Sequence, residues 1–97
     1  MNLNSKQRKS LRAQAHHLEP VILIGKNGFN EGAKYAIEQA ITIHELIKVK
    51  FRDYKDEKKE LSNEIAEKLN AEIVGLIGNT VILYKFNPEL EDHKFTP

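Results

Sequence analysis

The chain has no cysteine and no tryptophan, one methionine and three prolines among its 97 residues. Without cysteine there is no disulfide, no thiolate nucleophile and no Cys-type zinc site. No apolar run approaches the ~18 residues of a membrane helix, and residues 1–18 lack the apolar stretch of a secretory signal. That segment is basic and acid-free, as transit peptides are, but it reads as a capped helix of the domain itself. The length suits one small domain with one core, too short to set a substrate domain beside a cofactor domain. A cytoplasmic, monomeric protein without cofactor or metal is expected.

Net charge is only +1, but its distribution is uneven. Residues 1–34 carry six basic and two acidic side chains, net +4; residues 35–97 carry nine and twelve, net −3. A basic end opposed to an acidic one is a field that favours an anionic partner on one side.

Periodicity orders the chain as α-β-α-β-α-β-β. Asn4 and Gln7 stand at capping-box spacing before a helix over Ser5–His16, with Leu3, Leu11, Ala15 and Leu18 on one arc. Arg8, Arg12 and His16 fall on the opposite arc, flanked by Lys6 and Lys9. A strand over Val21–Ile24 precedes a helix from about Asn30 to His44. Leu46–Arg52 alternates, Ile47, Val49 and Phe51 on one face and Lys48, Lys50 and Arg52 on the other. A third helix over Asp56–Asn70 shows an acidic stripe of Glu57, Glu60, Glu64 and Glu67. Strands over Glu72–Ile77 and Thr80–Phe86 flank Gly78-Asn79, a two-residue hairpin signal. This is a single α/β domain on a four-stranded mixed sheet. The first, third and fourth strands are expected to be covered on both faces. The half-polar second strand belongs at an edge or on the less covered side. Residues 1–86 form the domain and 87–97 a polar, loosely held tail.

Gly25-Lys26-Asn27-Gly28 lies between the first strand and the second helix. A strand that turns through two glycines into a helix N-terminus leaves backbone N–H groups aimed at open space, where a phosphate can sit. The spacing alone is unspecific: chance supplies it in about every second chain of this length. Gly75-Leu76-Ile77-Gly78 repeats it with apolar middle residues inside a strand pattern, where it reads as strand punctuation.

Enzymatic templates fail on residues. A Walker loop lacks its first glycine and its Ser/Thr, because Asn27 follows Gly25-Lys26. Gly25, Gly28 and Gly32 do not match a dinucleotide fingerprint. His44-Glu45-Leu46-Ile47-Lys48 starts like a zincin helix but has Lys48 where the second histidine belongs. His16 and His17 point about 100° apart on a helix, a poor metal pair. No serine has a base at readable spacing. No catalytic residue is assigned. Phe29, after the loop, is either a base-stacking side chain or a buried anchor.

Taken together, Ala15-His16, Leu18 and Pro20, then Ile24-Gly25-Lys26-Asn27-Gly28, then His44-Glu45-Leu46-Ile47-Lys48-Val49-Lys50, and finally Ile77-Gly78 leading to Val81-Ile82-Leu83-Tyr84-Lys85, resemble the CRM-domain family in its single-domain, YhbY-type bacterial form. The likeness covers residues 3–86. It implies a fold similar to the C-terminal domain of translation initiation factor 3 and binding to structured RNA, namely ribosomal RNA of large-subunit precursors. It also implies that Gly25 to Gly28 act as a loop analogous to the KH-type clamp. Lys85 stands where the family often has arginine, keeping the charge without the planar fork.

The expected interface is Gly25, Lys26, Asn27 and Gly28, extended by Lys6, Arg8, Lys9 and Arg12 of the first helix and by Lys48 and Lys50 of the second strand. Gly28→Asp is expected to abolish RNA binding and leave the fold intact. Two other readings remain open on the residues: a small enzyme or binding protein for a phosphorylated metabolite, and a protein-interaction module on the ribosome.

Overall fold

The computed structural model describes residues 2–97. Helix α1 (Ser5–Ala15) opens on a complete capping box: Gln7 N–H donates to Asn4 Oδ1 at 2.8 Å and Asn4 N–H to Gln7 Oε1 at 2.9 Å. Strand β1 (Ile22–Ile24) leads through the glycine turn to α2 (Glu31–His44), which is capped by Asn30 Oδ1 on Ala33 N–H. Strand β2 (Leu46–Phe51) follows, then a 3₁₀ turn (Lys55–Glu57) and α3 (Lys58–Leu69). Left-handed Asn70 (φ 55°) ends α3. Strands β3 (Glu72–Ile77) and β4 (Thr80–Tyr84) close a hairpin through Gly78, whose positive φ of 58° at the first central position is the type II′ signature.

The sheet order is β1-β2-β4-β3. β1 and β2 pair in parallel across the α2 crossover, while β4 runs antiparallel to both β2 and β3. The hairpin therefore folds β4 back into the gap between β2 and β3. Of the two placements expected for β2 the edge is excluded: β2 is an interior strand, and β1 and β3 are the edges.

Two cores sandwich the sheet. Ile47, Val49 and Phe51 point with Ile24, Val81 and Leu83 toward α2 and α3, where Ile37, Ile41, Ile65 and Leu69 are buried. Leu11 and Ala15 of α1 pack the other face with Leu46, Val74, Ile82 and Tyr84. One short helix cannot cover a four-stranded face, and α1 crosses only one end of it, over Leu46 of β2, Ile82 and Tyr84 of β4 and Val74 of β3. Hence only β4 is enclosed on both faces; Leu23 of β1 and Ile77 of β3 remain exposed. The polar side of β2 does lie on this less covered side, as its alternation indicated.

The C-terminal segment is polar, yet it docks. Phe95 is buried in the α1-side core, and Gln14 exchanges two hydrogen bonds with the Thr96 backbone. Buried Glu45, at a φ of 63°, accepts from Asn87 N–H at 2.7 Å and pairs with His93 Nδ1 at 2.8 Å; His93 in turn stacks on Phe86. The expected loose tail is thus replaced by a segment held at both ends.

Candidate nucleic-acid interface

Parallel pairing sets the carboxyl ends of β1 and β2 side by side, the usual place for a ligand in an open α/β sheet. The Ile24 carbonyl accepts from both Arg52 and Asp53 N–H, at 2.9 and 3.1 Å. The chain leaving β2 is thereby folded against the chain leaving β1. Gly25-Lys26-Asn27-Gly28 closes as a tight turn, Gly28 N–H donating to Gly25 O at 2.9 Å. Gly28 has a φ of 63°, which glycine adopts without strain.

Tyr54 braces this turn from one side. Its hydroxyl donates to the Lys26 carbonyl at 2.7 Å, and its ring lies where a Cβ on Gly28 would come within 3.4 Å. In a trans peptide the carbonyl and the following N–H point in opposite directions. Holding the Lys26 carbonyl toward Tyr54 therefore turns the Asn27 N–H to the opposite side of the turn. The Lys26 and Asn27 side chains are both exposed. With Arg52, whose Nη2 would lie 3.8 Å from a Cβ on Gly25, the turn lines an open recess of about 400 Å³ that extends to Gly32 at the start of α2. The first turn of α2 adds unpaired N–H groups and the positive end of the helix dipole.

The other basic residues divide by use. Lys50 is exposed on the open half of the sheet. Lys48 Nζ donates to the carbonyls of His16 and Leu18 at 3.3 and 3.0 Å, tying down the end of α1. Lys48, Lys50 and His16 line a second recess of about 390 Å³. Arg12 is not on a free outer arc. It lies over β3, donating to Val74 O at 3.3 Å, with its side chain 3.0 Å from where a Cβ on Gly75 would stand. That contact explains the first glycine of the second GxxG, which seats an arginine beside a β-bulge. Arg8 reaches back to the Leu3 carbonyl. Lys6 and Lys9 stay exposed on α1. Phe29 packs against the α2–α3 core, which makes it an anchor beneath the loop and not a free stacking ring.

The structure therefore gathers Gly25, Lys26, Asn27 and Gly28 with Arg52 and Tyr54 in one place. Lys50 stands on the adjoining rung of β2, since alternate residues of a strand lie about 7 Å apart on one face. Sequence reasoning placed Arg52 on this face but did not join it to the loop, and it gave Tyr54 no role. The parallel pairing of β1 and β2 is what unites them, and no local pattern encodes it. Glu57, at the N-cap of α3, and Glu60, Glu64 and Glu67 along it are all exposed, across the sheet from α1. Among the described residues no cluster of potential metal ligands occurs, and no helix is long and apolar enough to cross a membrane.

Comparison with known proteins bears on the same elements. The chain is 42% identical over 88 residues to an RNA-binding protein of Haemophilus influenzae, covering 90% of this chain and 89% of that protein. It is 35% identical over 88 residues to the probable RNA-binding protein YqeI of Bacillus subtilis, covering 90% and 92%. The solution structure of the hypothetical protein SAV1595 from Staphylococcus aureus superposes with a TM-score of 0.80 at 34% identity, covering 97% of this chain and 99% of that one. The CRS1 / YhbY (CRM) domain profile matches residues 3–85, from the start of the capped first helix to the end of the sheet. The chain belongs to the CRS1/YhbY (CRM) domain family.

Proposed function

We propose that this domain is a non-enzymatic RNA-binding protein that takes RNA phosphates at the Gly25–Gly28 turn. The observation that carries the reading is the Tyr54–Lys26 hydrogen bond, because it turns the Asn27 N–H of the same peptide away from Tyr54, beside the exposed Lys26 side chain. Lys26 and Arg52 supply charge beside that N–H, and Lys50, Lys6 and Lys9 continue it over the α1 side of the molecule. The acidic stripe on α3 keeps the opposite side off an RNA surface. Relatives named as RNA-binding proteins share most of the chain, which supports RNA over a phosphorylated metabolite.

Within this reading the ligand is ribosomal RNA of a large-subunit precursor, and the domain serves assembly without chemistry. Gel shift and crosslinking against fractionated ribosomal RNA at two salt concentrations test it. Binding should be retained by large-subunit RNA, weaken steeply with salt, and disappear from ribosomal particles on nuclease digestion. Comigration that survives digestion would instead assign the contact to protein.

A further inference from the structure

One row of side chains crosses all four strands on the face that α1 half covers. Leu23 is in register with Lys50, Lys50 with Thr80, and Thr80 with Ile77. Cross-strand partners share a face, so the row reads Leu23, Lys50, Thr80, Ile77 from edge to edge. Farther along the same face Ile82 and Tyr84 are buried under α1, whereas Leu23 is 50% and Ile77 59% exposed. A single exposed aliphatic residue is ordinary. Two in one row, on either side of an exposed lysine and one rung from Arg52, form a surface that is apolar and cationic together.

The charge around the row selects an anionic occupant. Lys48 and Lys50 line the adjoining recess against one carboxylate, Glu19. An A-form duplex presents phosphates and 2′-hydroxyls and keeps its bases stacked inside. It would satisfy the lysines and leave Leu23 and Ile77 against polar backbone. An unpaired strand offers phosphates and base faces at once. Three strand spacings of about 4.8 Å give the row a span of about 14 Å, room for a short run of unpaired nucleotides.

We infer that the open half of the sheet holds a single-stranded RNA segment. Its bases lie against Leu23 and Ile77, its phosphates lie at Lys50 and Arg52, and its path continues from the Gly25–Gly28 turn. The inference rests on the RNA-binding reading and narrows its ligand class.

Fluorescence anisotropy with a short unstructured RNA and with the duplex of the same strand tests this on the full chain. Three proteins are compared: wild type, the double variant Leu23→Ser/Ile77→Ser, and Lys26→Glu. The wild type should prefer the single strand. Leu23→Ser/Ile77→Ser should lose about tenfold in single-strand affinity through lost apolar contact. Its duplex affinity and salt dependence should not change, because no charge is altered. Both side chains are exposed, so its melting temperature should match the wild type's. Lys26→Glu should weaken both ligands. Equal affinity for the two RNAs, unchanged in the double variant, overturns the inference while RNA binding stands; the row then faces something else, such as an acidic protein segment. Failure of the wild type to bind either RNA overturns the underlying reading as well.

Discussion

The Tyr54 hydroxyl donates to the Lys26 carbonyl at 2.7 Å, from a residue itself held at a φ of 58°. A tyrosine in the left-handed region is strained, and its hydroxyl bonds the turn. Tyr54→Phe keeps the ring against Gly28 and removes only the hydrogen bond. Stability should fall by about 1 kcal/mol or less. RNA affinity should fall severalfold, because the Asn27 N–H is no longer held away from Tyr54. Unchanged affinity in an anisotropy titration would show that the brace has no part in binding.

Gly28 takes on a second constraint in the structure. Its φ is 63°, and a Cβ added there would stand 3.4 Å from the Tyr54 ring, so any side chain meets both backbone strain and a packed neighbour. Gly28→Asp should therefore lower stability by about 1–2 kcal/mol as well as weaken RNA binding. The intact fold expected from sequence thus carries a stability cost at this position. A thermal melt of the variant separates the two effects.

Phe95 ties the C-terminal segment into the α1-side core. Phe95→Ala should cost about 3 kcal/mol, which in a domain of this size lowers Tm by more than about 10 °C. Removing residues 87–97 should cost at least as much, since it also strips the buried Glu45 carboxylate of Asn87 N–H and His93. Thermal denaturation at constant pH reads both.

The Tyr84 phenol is pushed above its usual 10.0, first by burial and then by the neighbouring Glu45 charge. In the unfolded chain it titrates near 10.0, so between that value and the higher folded one the native state holds more proton. The phenol's contribution to stability is thus intact below about pH 10 and lost as pH rises through the folded pKa. Tm followed into the alkaline range should fall less steeply for Tyr84→Phe than for wild type. Parallel curves would mean that the phenol does not contribute.

Local chemistry made most of the fold legible. The Asn4–Gln7 box, the alternation of Ile47, Val49 and Phe51, and the Gly78 turn each encode an element through nearest neighbours in sequence. Position within the sheet is different: β2 lies inside it because β4 returns between β2 and β3, a nonlocal event that periodicity does not record. The half-polar face of Lys48 and Lys50 reflected a short helix covering half a sheet, not an edge. Nothing local marks Glu45 for burial, since its partners Asn87 and His93 lie more than forty positions away. The glycine turn was visible as a motif, but Arg52 and Tyr54 joined it only through the parallel pairing of β1 with β2.

The proposed interface seats RNA phosphate on the Gly25–Gly28 turn between Lys26 and Arg52. The most direct measurement is a salt titration of RNA affinity for wild type, for Lys26→Glu/Arg52→Glu, and for Lys59→Glu/Lys68→Glu on exposed positions of α3 as a charge-matched control. The turn variant should lose about a hundredfold or more in affinity and flatten the salt slope by about 2, one for each phosphate contact removed. The α3 variant should bind nearly as the wild type does. Wild-type affinity and slope in Lys26→Glu/Arg52→Glu would contradict the account.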